Sequence, residues 1–168
     1  MTEILTYRLI LRRARPEDLS DLHAVMSAPE AMRYWSRPAH ESLAQTQAYL
    51  DSMLAAGPEA DDFVIERNGV VIGKAGAWRL PEVGFILHPD HWRQGLMREA
   101  LAAVVSHLFA AHPGIDRLTA DVDPRNGRSL ALLKVLGFTE TGRAERTLQW
   151  GDEWCDSLYL ELLREDWA

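Results

Sequence analysis

The chain has 168 residues, 47% of them apolar and 26% charged, with a formal net charge of -7. That length favours about one domain, and the composition supports a buried core rather than disorder. The acidic balance disfavours nucleic acid and anionic membrane as main partners while tolerating a local basic pocket, and the single cysteine, Cys155, excludes a disulfide framework or a cysteine zinc site within one chain.

Residues 7–13, YRLILRR, alternate Leu9 and Leu11 with basic side chains and predict a first strand. A helix follows over 15–26, with Pro16 near its first position and Glu17 and Asp18 in its electropositive first turn. Residues 42–56 predict a second helix, with Leu43, Tyr49, Leu50, Met53 and Leu54 as apolar positions and Gly57-Pro58 as its stop. Residues 62–78 read as a hairpin, because Asn68-Gly69 between two β-rich runs suits a two-residue turn. Residues 81–89 form another strand. A helix then carries Met97, Ala100, Leu101, Val104, Val105, Leu108 and Phe109 as one apolar stripe. A strand over 116–124, a helix over 126–138 stopped by Gly137, and strands over 138–150 and 154–163 complete the chain. Cys155 reads as a plain strand residue. The order β-α-α-β-β-β-α-β-α-β-β lacks strict alternation. It implies an α/β (α+β) fold, a single mixed, mostly antiparallel central sheet with helices on both faces, in one domain over 1–168. No secretory leader pattern and no apolar run of about 18 residues is present, so a cytoplasmic setting is expected.

The chemistry-bearing residues cluster around the fourth predicted strand. Arg93, Gln94, Gly95 and Arg98 stand at the mouth of an apolar helix. Glycine permits close backbone approach, a helix N-terminus offers unpaired N–H groups, and arginines bind phosphate bidentately. Alone, this stretch reads equally as a glycine turn with solvated arginines. Before it, the strand puts Glu82, Gly84, Ile86 and His88 on one face and Val83, Phe85 and Leu87 on the other, and Gly84 suggests a bulge or a close approach. After it, Asn126 and Ser129 fall in the first turn of the next helix; Asn126 suits a cap and Ser129 can reach a ligand at the helix mouth.

EVGFILHPDHWRQGLMREAL followed by RLTADVDPRNGRSLALLKVLGF resembles the GNAT superfamily of acetyl-CoA-dependent N-acetyltransferases. The beginning, YRLILRRARPEDLSDL, and the close, GDEWCDSLYLELLREDW, are similar to its ribosomal-protein N-terminal (alanine/serine) acetyltransferase branch. The resemblance implies a GNAT-like acyl-CoA acyltransferase fold. The family's pyrophosphate turn, Gln/Arg-x-x-Gly-x-Gly/Ala, maps onto Trp92-Arg93-Gln94-Gly95-Leu96-Met97. Backbone N–H groups from Arg93 to Met97, with Arg98 beyond, would hold the pyrophosphate of acetyl-CoA. Phe85, Ile86 and Leu87 would pair with the pantetheine arm, and Asn126 would lie near the thiol end. Ser129 would hydrogen-bond or protonate the departing thiolate, and Glu82 would accept the amine's proton, commonly through water. Two positions depart from the pattern: Trp92 replaces Gln or Arg, and Met97 replaces a small residue. Met97 lies on the apolar stripe, so its side chain is expected toward the core with its amide toward phosphate.

Attack on a thioester needs a neutral amine. At pH 7 deprotonation costs roughly 1.4 kcal/mol for an α-amine of pKa about 8 and about 4.6 kcal/mol for a lysine of pKa about 10.4. The expected reaction is therefore direct transfer in a ternary complex, without an acyl-enzyme or a metal. The acceptor is expected to be the α-amine of a protein or peptide; a small amine and a noncatalytic acyl-CoA-binding module are the alternatives. Tyr34, Trp35 and Trp78 are candidate walls of the acceptor groove. His40 is a candidate second base against a plain loop residue, and His88 is expected to close its strand. Arg143, Arg146 and Trp150 read as a solvated hairpin, with the pocket's edge as the alternative. No nucleic acid or membrane partner is expected, and a homodimer is left open.

Overall fold

The computed structural model describes residues 2–57 and 60–167. Its strands are β1 (Glu3–Leu5), β2 (Ile10–Arg12), β3 (Asp61–Arg67), β4 (Val70–Arg79), β5 (Glu82–Leu87), β6 (Arg117–Val122), β7 (Thr139–Trp150) and β8 (Glu153–Leu163). Its helices are α1 (Leu19–Met26), α2 (Pro29–Met32), α3 (Leu43–Ala55), α4 (Leu96–Ala111) and α5 (Gly127–Val135). The strands make one sheet in the order β1-β2-β3-β4-β5-β6-β8-β7. Every neighbouring pair is antiparallel except β5 and β6, which are parallel and joined in register only at Glu82 and Thr119. Beyond that point β5 and β6 diverge and leave a split in the middle of the sheet.

Local chemistry places these elements. Asn68 (φ 53°) and Gly69 (φ 81°) both take the positive φ that a tight hairpin between β3 and β4 demands. The Ser42 hydroxyl accepts the Gln45 N–H at 3.3 Å and starts α3, and Asn126 Oδ1 accepts the Ser129 N–H at 3.3 Å and starts α5. On one face of the sheet, Leu96, Ala100, Leu101, Val104, Val105 and Leu108 of α4 pack with Leu133 of α5 against Phe63, Ile65 and Leu87. On the other face, Leu22, Val25 and Met26 of α1 and Leu50 and Met53 of α3 cover Val64, Val71 and Ile86. Helices thus lie on both faces, and among the described residues none is long and apolar enough to cross a membrane.

Several sequence expectations change in detail. The predicted first strand over 7–13 becomes β2 with a short partner, β1, because Thr6 hydrogen-bonds to Leu9 and reverses the chain between them. Residues 16–18 form a tighter 3-10 turn ahead of α1, with Asp18 drawn inward by Arg12 (2.9 Å) and by the Arg15 N–H (2.7 Å). The four-residue α2 has no counterpart in the predicted order. Leu43 and Leu54 of α3 are exposed; its buried stripe is Thr46, Leu50 and Met53. Thr46 tolerates burial because its hydroxyl lies between His23 Nδ1 (2.7 Å) and His40 Nδ1 (2.8 Å). The Pro58 half of the predicted stop after α3 lies outside the described residues. The irregularity expected at Gly84 sits on the facing strand: between the Gly76–Gly84 and Arg79–Glu82 pairs, β4 carries one residue more than β5.

Candidate active site

The split between β5 and β6 opens into a cleft of about 770 Å³ with the N-termini of α4 and α5 at its rim. Phe85, Ile86, Leu87, Gly95, Leu96 and Met97 line one side, and Asn126 and Ser129 line the other. Gly95 takes φ 73° as the residue before α4, and no side chain caps the helix. The first backbone bond back to Gly95 is the Glu99 N–H at 3.1 Å, so the preceding N–H groups of the turn are left open. Five arginines, Arg33, Arg93, Arg98, Arg125 and Arg128, line the cleft against one carboxylate, Glu30. An acidic chain has therefore gathered positive charge at one uncapped helix mouth, where an anion gains from both the N–H groups and the helix dipole.

The turn is braced from the chain's beginning. Arg8 donates from Nη1 to the Gln94 carbonyl at 2.9 Å and from Nε to Glu99 at 2.7 Å, while the Thr6 hydroxyl donates to Glu99 at 2.6 Å. Burial alone would raise the Glu99 carboxyl, but the bonds from Thr6 and Arg8 hold it below its ordinary value. Trp92 is anchored by its indole N–H on the Leu87 carbonyl (2.9 Å), and the Arg128 guanidinium lies over its ring at 4.0 Å, spanning from α5 to the turn. Met97 is half-buried, packed at the edge of the core while lining the cleft.

Most of the residues proposed for the cofactor converge on the cleft, whereas Gln94, Trp78, Glu82 and Gly84 do not line it. The Gln94 side chain turns away, accepting from Arg67 at 3.0 Å and donating to the Asp90 carbonyl at 3.2 Å. Trp78 is exposed on the irregular part of β4. Glu82 stands at the start of β5, before the split. Desolvation first and Asp121 second push its carboxyl above the ordinary value, against Arg79. Along β5 it shares a face with Gly84, over which the Trp35 ring sits, 4.0 Å from where a Cβ would stand. Ser129 lines the cleft, and its hydroxyl has no partner among the described residues.

The remaining candidates have local roles. His40 bonds to Thr46, and burial, then His23 and Arg37, hold its imidazole below the ordinary value. His88 caps the turn after β5, accepting the Asp90 N–H at 3.2 Å. Cys155 is buried on β8, with Arg125 Nη2 3.6 Å from its sulfur. Arg146 lies over Trp154 on the hairpin, whereas Trp150 reaches inward and donates to the Met32 carbonyl at 3.2 Å. Arg33, His91, Arg125 and Arg128 line the cleft without having been singled out. Arg125 and Arg128 flank Asn126 and Ser129, and that charge pattern was their available signal.

A sheet split at its centre, with an uncapped, arginine-ringed helix mouth at the head of the split, is a frame for an extended anionic ligand. The Acetyltransferase (GNAT) domain family matches residues 8–139. The N-acetyltransferase YoaA of Bacillus subtilis (strain 168) is 33% identical over 147 residues, covering 82% of each chain. Ribosomal-protein-S5-alanine acetyltransferase from Vibrio fischeri superposes over 100% of both chains with TM-score 0.82 at 21% identity. Spermidine N-acetyltransferase from Vibrio cholerae, solved with CoA and spermine, covers 95% of this chain and 97% of its own, with TM-score 0.78 at 19% identity. The chain belongs to the GNAT family and is an acetyl-CoA-dependent N-acetyltransferase.

Proposed function

We propose that the acceptor is the α-amine of a protein or peptide, acetylated directly while both substrates share the cleft. The observation that carries this reading is that Trp35, whose ring closes over Gly84, and the Ser129 hydroxyl line one cleft headed by an uncapped helix. The open N–H groups after Gly95, with Arg93 and Arg98, would hold the donor's pyrophosphate. Phe85, Ile86 and Leu87, paired with β4 but without a ladder partner on the edge toward β6, would meet its amide arm. The thioester supplies the acetyl group. The amine nitrogen bonds to the acetyl carbon as the carbon–sulfur bond breaks; the amine's proton passes through water to Glu82, and Ser129 gives a proton to the sulfur and regains one from solvent. A carboxylate held above its ordinary pKa is a stronger base once ionised, which suits a relay from an α-amine of pKa about 8. Asn126 orients this end of the cleft by fixing the first turn of α5.

A second reading, a small amine acceptor, is favoured by the fold's occurrence in the spermidine enzyme. Thiol release from acetyl-CoA separates the two, measured across peptides beginning with Ser or Ala, polyamines and aminoglycosides. Release with the peptides is expected; release confined to polyamines or aminoglycosides would overturn the α-amine reading.

A further inference from the structure

The acceptor side of the cleft contains an unmatched donor. Arg33, just after α2, lines the cleft with Tyr34 and Trp35. Its guanidinium lies 5.0 Å from the centroid of the Tyr34 ring and 5.1 Å from that of Trp150. Two aromatic faces restrain such a fork, although the side chain as a whole stays 38% exposed. Its Nη2 makes only a long, 3.4 Å contact with Glu153 Oε1, an oxygen that already accepts Arg125 Nη1 at 2.7 Å. Its Nη1 is closed off from solvent and has no acceptor among the described residues. A buried N–H on a charged group is costly to leave unbonded.

The charges around it are already balanced. Arg33 and Arg125 face Glu153 and Asp123, with Arg125 bonded to Asp123 at 2.7 Å and 2.9 Å. What the cluster lacks is a hydrogen-bond acceptor rather than a charge. Two residues on, Trp35 closes over Gly84 of β5, so the 33–35 segment faces the strand along which the thioester would lie.

We propose that Arg33 is a specificity-determining residue for the acceptor: its guanidinium, 38% exposed beside the cleft and held at Nη2 by only the 3.4 Å contact, donates to an acyl oxygen carried by the carbon next to the amine-bearing carbon. The assignment rests on the α-amine reading above. That oxygen is the first carbonyl of a peptide or a carboxylate oxygen of a free amino acid; a polyamine has neither. The segment thus reads the amine as an α-amine by the group attached to it.

The test uses three acceptors of similar size: alaninamide, alanine and isopropylamine. Thiol release gives kcat/KM for each with the wild-type enzyme and R33M, and the ratio of ratios cancels the amines' own pKa values. The expected result is that R33M loses about tenfold to a hundredfold in its preference for alaninamide or alanine over isopropylamine, the range for a hydrogen bond to a charged group. The acceptor with the larger loss identifies the source of the oxygen. An equal loss for all three would indicate a purely structural role and overturn the proposal, as would an unchanged preference. R33K, which keeps the charge without the planar fork, is read by the same ratio if R33M does not fold. Thiol release with polyamines but none of these α-amino compounds would instead sink the α-amine reading itself.

Discussion

Two glycines of the β4–β5 pair are predicted to fail in opposite ways when given a methyl group. In the register Gly73 faces Leu87 and Gly76 faces Gly84. A Cβ on Gly73 would stand 2.2 Å from the Ile86 carbonyl oxygen and 3.0 Å from Leu87 Cα, so G73A must part the two strands. Overpacking of this kind costs roughly 1–3 kcal/mol and occasionally more. Taking about 3 kcal/mol, and about 2–4 °C per kcal/mol for a chain of this size, the melting temperature should fall by about 6–12 °C. A Cβ on Gly84 meets only Trp35 Cη2, at 4.0 Å, an ordinary contact. G84A should therefore melt within about 2 °C of wild type, yet lose about tenfold in kcat/KM because its methyl intrudes where amine and thioester must align. Thermal unfolding followed by fluorescence gives the first quantity and thiol release the second. A wild-type melting temperature for G73A, or an equal fall for both variants, would refute the packing argument. Full activity in G84A would refute the placement of the acceptor beside Trp35.

Glu82 is held above the ordinary carboxylate pKa, so the acid limb of the kcat/KM profile should lie above that of a free glutamate, activity rising as the group ionises; E82Q should abolish that limb, as a pH series checks. Lys74 is buried with Asp62 at 2.5 Å and Tyr49 at 2.6 Å. K74M should cost about 3–5 kcal/mol in urea unfolding by stranding Asp62, and K74M/D62L should recover most of it. N126A removes the cap of α5 and should cost about 1 kcal/mol in the same experiment while lowering kcat through a looser Ser129.

What the sequence made legible was periodic or local. The stripe of α4, the Asn68-Gly69 turn and the Asn126 cap each need only a few neighbouring residues to be read. The elements that escaped, β1 and α2, are too short to show a period and exist through distant contacts. Gln94 reads as a ligand through its backbone N–H, a role its side chain, drawn the other way by Arg67, does not enter. The Arg33 cluster was the least visible part of the site. Its partners Trp150 and Glu153 lie 118 and 120 residues along the chain from the segment they contact, and Trp150 read as a solvated hairpin residue from its own strand alone. Even the strand irregularity was sensed at Gly84 while the extra residue lay in β4, because one strand's sequence cannot say which member of a pair is longer.

The parting of β5 and β6 also bears on the life of the folded chain. Past Glu82 and Thr119 the sheet is an unfinished weave, with two strand edges facing each other across a gap. An extended donor filling that gap would act as a removable thread, adding to the Glu82–Thr119 pair and the shared core that join the two halves. At a hundredfold excess over its dissociation constant such a thread adds about 2.7 kcal/mol to the folded state. A cell rich in the donor would then carry a longer-lived, protease-resistant enzyme, and a starved cell a looser one. The amount of enzyme would follow the supply of its substrate without any regulator.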